Sequence, residues 1–144
     1  MMKEIIVGIW LVVLGYIDGK QKEIPMWFTL LGGVVGIGFC IGEGRAIESI
    51  ALSCLPGFLA LVFSRLTREV MGYGDGIVVG ILGLFWPVRQ LLSIGMSAFA
   101  LAGLVALVLL VVFQKKGNYR IPFLPFLCLA YGIDICVKLG EKML

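Results

Sequence analysis

Histidine is absent from the 144-residue chain. That excludes Ser-His-Asp and Cys-His catalysis, histidine-ligated zinc and imidazole acid–base chemistry. Charge is also scarce: Asp, Glu, Lys and Arg make up 15% of the residues, where a soluble domain has about 25%. The four cysteines, Cys40, Cys54, Cys128 and Cys136, form no CxxC pair and sit in apolar runs. They read as small packed hydrophobes, so neither a metal nor a cofactor is expected. The net charge is +3 and its basic residues are scattered. That is too little for nucleic acid binding, although a mild basic excess fits loops beside anionic lipid headgroups.

Apolar residues are what the chain has in abundance. They account for 60% of it, and there are 20 glycines besides. Mean hydropathy is +1.07. A water-soluble fold of this length has too little interior to hide that surface and would aggregate. The expected fold is an all-α membrane protein, a bundle of six transmembrane helices forming a single domain over residues 1–144.

Six apolar runs carry that expectation, over residues 5–17, 26–41, 47–64, 76–88, 91–113 and 121–137. The first and fourth are only 13 residues long, about 20 Å of helix against a hydrocarbon core of about 30 Å. Each has a carboxylate at one end: Asp18 follows the first, and Asp75 precedes the fourth. The N-terminal run has no small-x-small cleavage site after it and reads as a retained span. Gly32, Gly33, Gly36 and Gly38 in the second run would let helices approach closely.

Basic residues suggest an orientation. Seven fall in the connections after runs one, three and five: Lys20, Lys22, Arg65, Arg68, Lys115, Lys116 and Arg120. Five fall elsewhere: Lys3, Arg45, Arg89, Lys138 and Lys142. The positive-inside rule then puts the first set in the cytoplasm. Two loops separated by two spans share a face, so the loops bearing Asp18 and Asp75 lie on one side of the bundle whichever way it points.

Most of the nine acidic residues read as solvated. Glu4, Glu23, Glu43, Glu48, Glu69 and Glu141 sit in loops or at span ends. Asp134 lies inside the sixth run with Lys138 four residues on, a spacing that pairs them on one helix face. Taken singly, Asp18 is a carboxylate where a span leaves the membrane, and Asp75 is a helix cap. Together they offer more. Glycines on both sides of Tyr73, in Gly72-Tyr73-Gly74-Asp75, permit close backbone approach to an extended peptide. Two carboxylates meeting in a low-dielectric site share one proton. The ionised acid can then take a proton from water while its partner donates to a scissile carbonyl.

These residues resemble the type IV prepilin peptidase family, membrane aspartic proteases of the GxGD kind. Asp18 followed by Ile24-Pro25 is similar to the family's first motif, and Gly72-Tyr73-Gly74-Asp75 to its GxGD motif. Ile121-Pro122-Phe123-Leu124-Pro125-Phe126 is similar to the proline-phenylalanine segment opening the last span. The likeness stretches over residues 18 to 126. It implies a multi-pass protein of the prokaryotic cell membrane with its active site facing the cytoplasm. Asp18 and Asp75 become the catalytic pair, and Gly72 and Gly74 the loop supporting Asp75. The implied substrate is a prepilin-like precursor, cut between its short basic leader and the hydrophobic helix that follows, with no cofactor.

Three positions depart from the family pattern: Met26 where Asn often follows Ile-Pro, Ile77 where Lys is common, and Leu124 where Gly is frequent. Larger members carry a segment with paired CxxC motifs and also methylate the new N-terminus. The chain shows no such pairs, so a peptidase of the short branch, without methyltransferase activity, is expected. The competing reading is a non-catalytic subunit of pilus or secretion assembly, or a small transporter. An ion path needs polar groups at mid-membrane, yet the run over residues 91–113 holds no charge.

Helix direction suggests a division of labour. Asp18 ends a helix, where the dipole disfavours its charge, and Asp75 begins one, where it favours charge. Asp75 is then the base and Asp18 the proton donor.

Overall fold

A computed structural model describes residues 2–21, 23–67, 73–114 and 123–144. Among them are six helices: α1 (Met2–Gln21), α2 (Met26–Glu43), α3 (Ile47–Leu66), α4 (Tyr73–Phe85), α5 (Val88–Val111) and α6 (Leu124–Met143). Of these, α2, α3 and α5 are long and apolar enough to cross a membrane. α1 carries charged residues near both ends and α6 carries them from its middle, at Asp134, to its C-terminus, and α4 is apolar but has only 13 residues. Large apolar side chains point outward, among them Ile47 at 85% and Val34 at 70% exposure. Lipid tails cover such a surface at no cost, whereas water would not.

Local chemistry sets the helix ends. Pro25 opens α2: its carbonyl accepts from the Thr29 N–H and the Thr29 hydroxyl, each at 3.1 Å. Gly44, with φ +61°, closes α2 in a left-handed turn. The Arg45 N–H then reaches back to the Cys40 carbonyl and that of Gly44 to Ile41, both at 3.2 Å, the Schellman pattern. Pro87 separates α4 from α5, and its ring has no N–H to return to the end of α4. Its carbonyl accepts the first bond of α5, from the Leu91 N–H at 3.1 Å.

Several boundaries differ from the hydropathy pattern: α1 runs over Met2–Gln21 rather than 5–17, which puts Asp18 inside the helix rather than after it. α4 starts at Tyr73 rather than Gly76, which puts Asp75 inside its first turn. α5 starts at Val88, with Arg89 in its first turn. α6 runs past Val137 to Met143, where the Asp134–Lys138 pair, at 3.0 Å, bridges one turn of the polar extension.

The chain falls into two compact units. The first holds α2, α3, α4, Lys3 and the start of α5; the second holds α1, the rest of α5 and α6. In the first, α4 packs on α3 and α2. Its contact with α3 is backbone to backbone. A Cβ on Gly57 would overlap the Gly80 main chain, and one on Gly83 would overlap the Ser53 carbonyl. On α2, Gly36 admits Leu84 and Phe85, and Gly33 admits Ile81, while nothing lies within 4 Å of a Cβ at Gly38.

In the second unit, α1 buries Val7, Trp10, Leu11 and Leu14, and α6 buries Leu124, Leu127, Ala130 and Tyr131. The Tyr131 hydroxyl donates to the Glu4 carbonyl at 3.0 Å. Phe99 of α5 lies on Phe123, with ring centroids 4.8 Å apart.

Candidate active site

Asp18 sits in the last turn of α1, with three helical residues after it. Leu11, Leu14, Gly15 and Asp18 follow the spacing of one helix face, and all four are buried. Asp18 itself is 6% exposed. The glycines on either side of this turn bring α1 against the start of α6. A Cβ on Gly15 would lie 3.5 Å from Pro125 Cα, and one on Gly19 would lie 3.8 Å from Pro125 Cγ. The turn that carries Asp18 is thereby fitted to the proline-phenylalanine segment.

Asp75 sits in the first turn of α4 and is 8% exposed. It shares its side of the helix with Val78 and Leu82, both fully buried. Its two neighbours are glycines with no room to spare. A Cβ on Gly74 would come within 2.6 Å of Ile24 Cδ1, and one on Gly76 would come within 3.0 Å of Leu61 Cδ2. The backbone of Asp75 is therefore gripped between Ile24 on one side and Leu61 on the other. Ile24 belongs to the Ile-Pro step of the first motif, so two separate sequence signals meet within this unit. Gly72, the other glycine expected to support Asp75, lies outside the described residues, as do Ile121 and Pro122.

Among the described residues, four other carboxylates are paired or exposed. Asp134 pairs with Lys138, and Glu43 pairs with Lys3 at 2.6 Å. Glu23 and Glu48 are exposed. Among the described residues no group of three His, Cys, Asp or Glu is placed to hold a metal ion. The departures from the family pattern fall unevenly: Met26 is exposed, Ile77 half-buried and Leu124 fully buried.

The far end of α4 holds a residue that sequence reasoning treated only as a loop charge. The Arg45 guanidinium donates to the carbonyls of Leu84 at 2.8 Å, Gly83 at 3.3 Å and Trp86 at 3.5 Å. It also donates to the Ser53 hydroxyl at 3.1 Å. These carbonyls end α4 and have no partners within the helix, and a cation there meets the negative end of the dipole. Cys40 adds a thiol donor to Leu84 O at 2.9 Å. The Lys3 ammonium lies 4.6 Å from the centre of the Trp86 ring. A lone arginine after a Gly-Glu-Gly turn carries no pattern that would have foretold this.

The profile of the type IV leader peptidase family matches residues 5–117. A prepilin leader peptidase/N-methyltransferase of Legionella pneumophila is 28% identical over 135 residues. The match takes in 87% of this chain and 46% of that protein, so the chain spans about half the length of the curated relative it matches. No solved structure is significantly similar.

Proposed function

The chain belongs to the type IV leader peptidase family, and from that premise we propose that it is an aspartic endopeptidase whose catalytic pair is Asp18 and Asp75. It acts at the cytoplasmic edge of the membrane. It removes the short basic leader from prepilin-like precursors, just ahead of their hydrophobic helix. The six helices span the membrane as one peptidase domain, oriented by the basic residues that follow α1, α3 and α5. The activity is peptidase only, since none of the four cysteines takes part in a CxxC pair.

The observation that carries this reading is the grip on Asp75. Ile24 fills the space beside Gly74, joining the first Asp motif to the second. Asp18 precedes Ile24 by only six residues, a stretch that reaches at most about 20 Å when fully extended. Two buried carboxylates brought together share a proton. Asp75, at a helix start, holds the charge and takes a proton from the attacking water. Asp18, at a helix end, holds the proton and gives it to the scissile carbonyl oxygen. Collapse of the tetrahedral intermediate expels the amine of the mature subunit, and the acids exchange their proton roles. The dipole bias is about 0.3–1 kcal/mol, and up to about 2 kcal/mol when partly buried. It sets which acid holds the proton more often, while the titration belongs to the pair.

The test is co-expression with a prepilin-like precursor, following the shortened subunit by gel mobility and N-terminal sequencing. Asp18→Asn and Asp75→Asn each abolish processing while the protein still inserts into the membrane. Processing that survives either substitution would remove the pair from the mechanism.

A further inference from the structure

We propose that Glu23 is a specificity-determining residue for the basic leader of the substrate, its carboxylate meeting a lysine or arginine close to the scissile bond. The inference rests on the reading of Asp75 as a catalytic acid and of the substrate as a precursor with a basic leader, and it names a residue that senses that charge.

Three contacts set the height of Glu23. α2 and α4 run parallel, with Gly33 at Ile81, Gly36 at Leu84 and Ile24 at Gly74. The segment before α2 therefore stands level with the start of α4, where Asp75 lies. The Ile24 Cβ comes within 3.4 Å of the place a Cβ on Gly74 would take. With successive Cα atoms about 3.8 Å apart, the Cα atoms of Glu23 and Asp75 are separated by at most about 14 Å. An extended peptide covers that span in about four residues, at about 3.3–3.6 Å each. A leader side chain within that distance of the cut can reach the Glu23 carboxylate.

Local geometry aims the side chain outward. Residues 23–25 lie outside any helix, and Pro25 is extended, at φ −67° and ψ 114°. A residue before proline is held extended as well, and successive side chains of an extended chain point to opposite sides. Ile24 is turned in toward Gly74, so Glu23 is turned out, and it is exposed.

Charge points the same way. In this unit Glu43 and Glu48 belong to the opposite end, flanking the Arg45 that binds the Leu84 carbonyl, and Glu43 is held by Lys3. Glu23 stands at the Asp75 end, and among the described residues no lysine or arginine is paired with it. The sequence around it is otherwise basic: Lys20 and Lys22 precede it, and Arg65 lies in the last turn of α3. These cations repel a basic leader, and an exposed carboxylate near the cut gives it one place where the sign is reversed.

The experiment uses the full chain in detergent micelles and two purified prepilin-like precursors, one with a basic leader and one whose leader lysines and arginines are changed to glutamine. With the basic leader, Glu23→Gln raises KM by about two- to fivefold, the scale of an exposed ion pair, while kcat stays within about twofold. Glu23→Lys raises KM further. With the neutral leader, Glu23→Gln and the wild type have the same KM. A third precursor, with glutamate at the leader's basic positions, reverses the order, so that Glu23→Lys cleaves it better than the wild type. Raising salt from about 0.05 M to about 0.5 M weakens the wild-type preference for the basic leader and leaves Glu23→Gln unchanged. An unchanged KM for Glu23→Gln with the basic leader overturns the inference, as does an equal rise for the basic and neutral leaders. Either result leaves cleavage by the wild type intact, so only the role of Glu23 falls. If the wild type cuts neither precursor, or Asp75→Asn cuts as well as the wild type, the catalytic reading falls and takes Glu23 with it.

Discussion

Gly57 and Gly80 touch each other, yet methyl groups added to them have opposite consequences. On Gly57 the new Cβ would fall on the Cα and N of Gly80 and come within 3.0 Å of the Gly76 carbonyl. All three obstacles are main chain, so no side chain can swing away, and the helices have to part. On Gly80 the nearest atom to the new Cβ is Gly57 Cα at 3.8 Å, an ordinary contact. Overpacking of the first kind costs about 1–3 kcal/mol. The second carries no such cost and gains up to about 1 kcal/mol of helix propensity. For a chain of this size 1 kcal/mol corresponds to roughly 2–4 °C in Tm. Gly57→Ala therefore melts roughly 2–12 °C below the wild type in detergent, and Gly80→Ala melts at or slightly above it. Cleavage of a prepilin-like precursor follows the same order, since α4 carries Asp75. Equal losses in the two variants, or a wild-type melting curve for Gly57→Ala, would refute the backbone contact between α3 and α4.

Three other perturbations test separate parts of the structure. Arg45→Met strands the carbonyls that end α4; hydrogen bonds to a charged group contribute about 1.5–3 kcal/mol, so Tm falls by roughly 3–12 °C. Arg45→Lys recovers only part of the loss, because one ammonium cannot span the acceptors that a planar fork reaches. Gly74→Ala drives a Cβ to 2.6 Å from Ile24 Cδ1, and Ile24→Val removes that atom, leaving contacts of 3.4 Å. The double variant should therefore cleave faster than Gly74→Ala alone, with a coupling of about 0.5–1 kcal/mol in a double-mutant cycle of cleavage rates. Tyr131→Phe deletes the bond to the Glu4 carbonyl and lowers Tm by about 2–4 °C, for a loss near 1 kcal/mol, with cleavage unchanged.

The helices were readable because hydropathy changes abruptly where the chain leaves apolar surroundings, and each of the six apolar runs contains the body of one helix. Their ends were less so. Charge marks a residue as polar without saying that helix stops there: Arg89 and Lys138 both lie in helices. Proline marks the starts at Pro25 and Pro87, although the fourth apolar run extended through Pro87 and Pro56 lies inside α3. The Asp134–Lys138 pair was legible since both partners lie four residues apart on one helix. Arg45 was not, because the carbonyls it serves are distant in the sequence and carry no residue-type signature. Asp18 and Asp75 stood out through their glycine and proline neighbours. That Ile24 would fill the gap beside Gly74 depends on a tertiary contact that no local pattern encodes.

The thirteen residues of α4 have one further consequence. The helix is moored at Gly83–Trp86 by a guanidinium and indexed by three glycines, so its residue count sets an angle. Inserting a single residue between Gly76 and Gly80 would rotate Asp75 by about 100° and displace it by about 1.5 Å relative to the moored end. Insertions and deletions within such a helix would therefore redirect the acid even if every original residue were kept.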